Sequence, residues 1–117
     1  MAALTIYHNP RCSKSRETLA LLEGRGLAPR IVKYLETPPT AAELARLVQM
    51  LGIRPEALVR KGEDVYRAKY AGRAMTDADW IAAMVEHPVL IERPIVVAGE
   101  RAVIGRPPER VSALLDN

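Results

Sequence analysis

Residues 4–26 read LTIYHNPRCSKSRETLALLEGRG, and the pattern changes twice within them. Leu4 to Tyr7 is a short apolar run of the kind that forms a buried strand. His8 to Lys14 is polar, contains Pro10, and reads as a loop. A helical period then runs to about Arg25, with Thr18, Leu19 and Leu22 on one face, Ser13 or Ser15 as N-cap, and Gly24 and Gly26 at its end. Arg30 to Tyr34 predicts a second strand, so the chain opens strand–helix–strand. A right-handed crossover makes those two strands parallel.

The texture then becomes helical. Thr40 followed by Glu43 is a capping-box signature, and Gly52 ends that helix. Pro55 is placed to begin a short helix carrying Leu58, Val59 and Arg60. Val65 to Tyr70 is a weaker helical stretch. Thr76 and Asp79 cap another helix with Trp80, Ile81, Met84 and Val85 apolar, closed by His87-Pro88. Ile95–Ala98 and Arg101–Ile104 flank Gly99-Glu100, a hairpin connection suited to a type II′ turn. Pro107 can open a final helix with Val111, Leu114 and Leu115.

That order, with a helical block at about 40–87 between two strand-bearing halves, predicts one α/β domain over residues 1–117 with a thioredoxin-like fold. Its core is a mixed four-stranded sheet, and the helical block is an insertion. In that architecture a redox cysteine sits between the first strand and the first helix. Cys12 stands there.

Composition narrows the function. The 117 residues are 49% hydrophobic and 26% charged, the balance of a globular domain. The net charge is +3, but basic and acidic residues alternate and aromatics make up only 4%, which disfavours nucleic-acid binding. A local anion site accounts for the imbalance. No apolar run approaches the ~20 residues of a membrane span, and the N-terminus lacks a signal-peptide pattern. A single cysteine precludes an intramolecular disulfide and suits a reducing cytoplasm. No metal-ligand cluster is evident, and a monomer is expected.

A lone cysteine is ordinarily a small buried hydrophobe. Cys12, however, is flanked by Pro10, Arg11, Ser13 and Lys14 at a predicted helix start, where unpaired N–H groups gather. An ordinary thiol has a pKa of about 8.5, and lowering it by two units takes roughly 2.7 kcal/mol of preference for the anion. A helix end supplies about 0.3–1 kcal/mol. Cations must supply the rest, and His8, Arg11, Lys14 and Arg16 are the local candidates. His8 can donate to the sulfur or serve as a turn residue after the first strand. Cys12-Ser13-Lys14-Ser15 has the spacing of a redox CxxC with serine in the second place. The chain therefore cannot resolve its own mixed disulfide, and an outside thiol such as glutathione, glutaredoxin or thioredoxin must regenerate it. Thr18, six residues after the cysteine, excludes a phosphatase-type loop, which needs arginine there.

YHNPRCSKSRETL (7–19), VRKGEDVY (59–66) and ERPIVVAGERAVIGRPPE (92–109) together resemble the glutaredoxin-coupled arsenate reductase family, in order and across essentially the whole chain. The resemblance implies a thioredoxin-like fold with a helical insertion, which agrees with the element order. It implies that Cys12 is the nucleophile and that Arg60, Arg93 and Arg106 bind the oxyanion. His8 and Ser15 would help hold the thiolate, Asn9 and the backbone of Ser13 to Ser15 would complete the cradle, and Pro94 would be the cis-proline beside the site. The implied reaction reduces arsenate to arsenite through a Cys12 thio-arsenate adduct, resolved by glutathione and glutaredoxin, with no bound cofactor or metal. Singly, each arginine is ordinarily a surface residue in a weak ion pair; grouped, guanidinium forks suit a tetrahedral dianion. Arg11 departs from the small residue that often precedes the cysteine in the family's resistance enzymes. Two other functions remain open at this point: a glutathione-dependent thiol transferase, and a polymerase-binding redox regulator. The regulator normally needs the CxxC pair that Ser15 removes.

Overall fold

The computed structural model describes residues 3–115; Met1, Ala2, Asp116 and Asn117 lie outside it. Two compact units result, one drawn from the chain up to Thr37 and from Arg93 onward, the other from Pro38–Glu92.

The first unit is built on a mixed four-stranded sheet. Its strands are β1 (Leu4–His8), β2 (Arg30–Lys33), β3 (Ile95–Ala98) and β4 (Arg101–Ile104), in the order β2-β1-β3-β4. β1 runs parallel to β2 with Ile6 opposite Ile31, and antiparallel to β3 with Ile6 opposite Val96. Side chains alternate across a sheet, so this register puts Leu4, Ile6 and Val96 on one face. There they pack with Leu22 of α1 (Ser13–Gly24), with Val111 of the 3₁₀ turn Pro108–Val111, and with Leu114 of a short helix, Ser112–Leu115. The β3–β4 hairpin turns at Gly99 with φ 62°, while among the described residues no non-glycine residue has positive φ. Only the first turn residue is left-handed, which is the type II′ form.

The second unit is helical. It contains α2 (Ala41–Leu51), α3 (Asp64–Lys69) and α4 (Asp77–Glu86), with 3₁₀ turns at Pro55–Leu58 and Pro88–Leu90. Thr40 with Glu43 and Thr76 with Asp79 both form complete capping boxes, and Gly52 closes α2 in the left-handed region. Leu44, Leu47, Leu58, Met84 and Leu90 are fully or almost fully buried, and Trp80 lies between Tyr66 and Tyr70. With the short helix of the first unit named α5 (Ser112–Leu115), the described residues hold no helix long and apolar enough to cross a membrane.

The differences from the expected elements are local. The N-cap of α1 is Cys12 itself, not Ser13 or Ser15, and the Ser15 hydroxyl bonds His8 and the Asn9 N–H instead. Val59 and Arg60 leave the Pro55 helix and continue extended, where Val59 bridges Ile91. On α4, Ala83 takes the buried position and Val85 is 38% exposed. The final helix begins as a 3₁₀ turn at Pro108, with Pro107 as its cap.

Candidate functional site

Cys12 is half-buried at the start of α1. Asn9 shapes the loop that brings it there. The Asn9 carbonyl accepts the Cys12 N–H at 3.0 Å, its side-chain Oδ1 accepts the Arg11 N–H at 3.0 Å, and its own N–H donates to Ser15 Oγ at 3.0 Å. Three backbone or side-chain bonds from one buried residue leave the loop few alternative shapes. As the N-cap, Cys12 turns its side chain toward the first amides of the helix without closing a side-chain cap bond. Those amides therefore act on the sulfur as directed dipoles at a helix terminus.

Two guanidiniums reach the sulfur from distant parts of the sequence. Arg106 Nη1 donates to Cys12 Sγ at 3.7 Å and to the Arg93 carbonyl at 3.0 Å. Arg93 is 8% exposed and precedes a cis peptide bond to Pro94; the Arg106–Pro107 bond is also cis. Burial pushes the Cys12 thiol up. The Ser15 amide, the Arg106 and Arg93 side chains and the Lys14 amide together outweigh it, and the thiol titrates below its ordinary value.

The local cations contribute less than their sequence positions suggest. Lys14 acts through its amide, while its ammonium lies 3.6 Å from Glu17. Arg16 donates to the Pro10 carbonyl at 3.1 Å. His8 is corrected most. Burial, then Lys33 and Arg16, push its imidazole below the ordinary histidine value, so near neutral pH it carries no charge. Its Nδ1 shares a 2.6 Å hydrogen bond with Ser15 Oγ. His8 thus bonds the residue whose amide faces the sulfur. Ser15, in the place of a second redox cysteine, is fully buried and joined to both His8 and Asn9.

Replacing Ser15 with alanine strips a buried N–H and a buried ring nitrogen of their partner. Ser15→Ala should cost about 1–3 kcal/mol in urea denaturation at pH 7. The neutral His8 ring gives stability that is complete above about pH 6.5; this is lost as pH falls from there through the ring's lower folded-state value, because the unfolded chain takes the proton first. Urea denaturation at pH 7 and pH 5 should show the decline.

Two further residues were not among those the sequence singled out for the site. Thr18 is fully buried on α1, and its Oγ1 donates to the Lys14 carbonyl at 2.8 Å and to the Gly105 carbonyl at 3.3 Å. The Gly105 N–H in turn donates to the Pro94 carbonyl at 2.9 Å. A Cβ on Gly105 would lie 2.7 Å from Thr18 Oγ1 and 3.0 Å from Pro94 Cγ. Both neighbours are held, so neither can yield cheaply. Gly105 sits beside Arg106, and Pro94 beside Arg93; this contact therefore sets where the two guanidiniums start from. Gly105→Ala should destabilise the protein by about 1–3 kcal/mol in denaturant unfolding and slow alkylation of Cys12. A glycine after a strand was the one available signal.

Arg60 belongs to the helical unit. Its Nε donates to Glu63 at 3.1 Å and its Nη1 to Glu92 at 2.8 Å, while its N–H donates to the Leu90 carbonyl at 2.7 Å. Burial opposes its charge, but the two carboxylates more than restore it. Among the described residues no cluster of three or more His, Cys, Asp or Glu is placed to hold a metal ion.

A single reactive-type thiol at the N-terminus of the first helix, on a mixed four-stranded sheet with a cis-proline before its third strand, defines a thioredoxin-like thiol protein. Comparison narrows the class. The sequence pattern of the ArsC family matches residues 7–114, and the chain belongs to that family. The Escherichia coli (strain K12) protein named "Uncharacterized protein YfgD" is 53% identical over 108 residues, 91% of each chain. An arsenate reductase of Neisseria meningitidis serogroup A is 44% identical over 117 residues, covering 98% of this chain and 100% of the relative. The solved structure of an arsenate reductase from Vibrio cholerae superposes with a TM-score of 0.92 at 53% identity, over 96% of this chain and 97% of that one.

Proposed function

We propose that this chain is a thiol-dependent arsenate reductase with Cys12 as nucleophile and glutathione with glutaredoxin as the source of electrons. The observation that carries the reading is the Arg106 guanidinium on the Cys12 sulfur, in a chain that has no second cysteine. The names of its arsenate reductase relatives supply the substrate.

The chemistry follows in three steps. The Cys12 thiolate attacks arsenic(V), an As–S bond forms, and an arsenate oxygen leaves as water after taking protons from solvent. A glutathione thiolate then attacks the Cys12 sulfur. The electron pair of the As–S bond stays on arsenic, which departs as arsenite, and the two sulfurs join in a mixed disulfide. A glutaredoxin thiolate takes the glutathionyl group and returns Cys12 as thiolate. Arg93 and Arg106 keep the sulfur ionised before attack and meet the negative oxygens of the bound arsenate, where donors placed in advance cost no reorganisation. On the family pattern alone, Arg60 is the third guanidinium, and Arg60→Ala measures its share as a rise in KM for arsenate. No metal or organic cofactor enters the scheme. A monomer in the reducing cytoplasm completes the reading.

The test is arsenite production by the purified protein with glutathione and glutaredoxin. Turnover of a glutathionylated peptide without turnover of arsenate would assign the protein to thiol transfer instead.

A further inference from the structure

Arg11 and the end of β2 have no part in the scheme above, yet they share a cavity. A space of about 300 Å³ is lined by His8, Pro10, Arg11, Lys33, Leu35 and Glu36, among others. That volume is at the lower end of what small-molecule sites use. One wall is the loop that carries the sulfur, since Arg11 precedes Cys12 and Asn9 binds the Cys12 N–H. The other lining residues, Lys33, Leu35 and Glu36, lie at and just beyond the end of β2, an edge strand of the sheet.

The lining is unusual in its charges. Among the described residues Arg11, Lys33 and Glu36 form no ion pair with each other or with a neighbour. Two cations and one carboxylate thus face one cavity without protein partners. Between them stands Leu35, 45% exposed and one of three large apolar side chains so exposed among the described residues. Unpaired charges of both signs around an apolar contact fit a small zwitterion better than a bare oxyanion, which would be repelled by Glu36.

A chain without a resolving cysteine needs a small thiol delivered beside its loop. We propose that this cavity is the docking subsite for the reducing thiol, a glutathione-type tripeptide whose two carboxylates meet Arg11 and Lys33 and whose ammonium meets Glu36. The three charges of the tripeptide match the three charges of the cavity in number and sign. Its aliphatic stem rests on Leu35, and Pro10 and Arg11, which line the cavity, lead directly into Cys12. The inference rests on the outside-thiol step of the proposed function, but not on arsenate as the substrate. In this account Arg11 recognises the reductant and leaves the thiol pKa to Arg106 and Arg93.

S-methylglutathione, which binds without reacting, separates the two questions. Titrated into the full chain and followed by amide NMR, it should give saturable shifts at Arg11, Lys33, Leu35 and Glu36. Arg11→Glu and Lys33→Glu should each weaken binding about tenfold or more, as loss of a charged contact does. Arg46→Glu, an equal charge reversal on the exposed side of α2, should leave it unchanged. Shifts confined to other residues, no saturable binding, or equal weakening by Arg46→Glu would overturn the subsite. Because the probe needs no arsenate, a protein that fails to reduce arsenate can still bind it, and a reductase that does not bind it refutes the subsite alone.

Discussion

Cys12→Ser protein should fold as the parent does and reduce no arsenate above background. The substitution removes one half-buried sulfur and no core packing, so the unfolding free energy should change by less than about 0.5 kcal/mol. Activity should fall by at least about 10³-fold, for two reasons that compound. A serine hydroxyl remains protonated at neutral pH even beside two guanidiniums, so little nucleophile exists. More decisively, reduction of arsenic(V) needs two electrons, which the scheme takes from a pair of sulfurs as they join. An arsenate ester of serine has no sulfur to join. Some activity could survive a lost nucleophile through binding alone in other chemistries, but here the electron route itself is gone. Glutathione- and glutaredoxin-coupled arsenite formation checks this, with thermal unfolding as the control for folding.

Arg106→Ala should produce the second largest effect. Its Nη1 touches both the sulfur and the Arg93 carbonyl, so its loss takes a donor from the thiolate and unties Arg93. Removing one donor of this kind costs about 10²–10³-fold in rate in comparable anion sites, and kcat/KM for arsenate should fall by that amount. The fall should divide between KM, through weaker oxyanion binding, and kcat, through a smaller thiolate fraction. Arg106→Lys should recover only part of the loss, because an ammonium supplies the charge but not the planar guanidinium fork that suits an oxyanion. Steady-state kinetics of the two variants at one pH give the comparison.

The sequence showed best what local chemistry dictates. The two capping boxes at Thr40 and Thr76, the left-handed stop at Gly52 and the Gly99 hairpin each depend on residues within four positions, and each has the predicted form. Cys12 in the first loop was legible for the same reason. Its surroundings were not. The cations on the sulfur come from Arg93 and Arg106, the latter 94 positions away, and only family resemblance pointed to them. Proximity in the chain suggested His8 and Lys14 as charges. Burial, which no single side chain announces, makes His8 neutral, and Glu17 engages the Lys14 ammonium. Thr18 and Gly105 meet across the fold with no shared pattern to mark them. On α4 the exchange of Val85 for Ala83 shows that apolarity ranks residues without saying which face turns inward.

The pH dependence of Cys12 alkylation, followed with iodoacetamide in the parent and in Arg106→Ala, is the most direct measurement. The rate should titrate with a midpoint below the ordinary thiol value of about 8.5, and the midpoint should move upward when Arg106 is removed. A midpoint at or above that value in the parent, or one that does not respond to loss of Arg106, would contradict a sulfur held ionised by its converging donors.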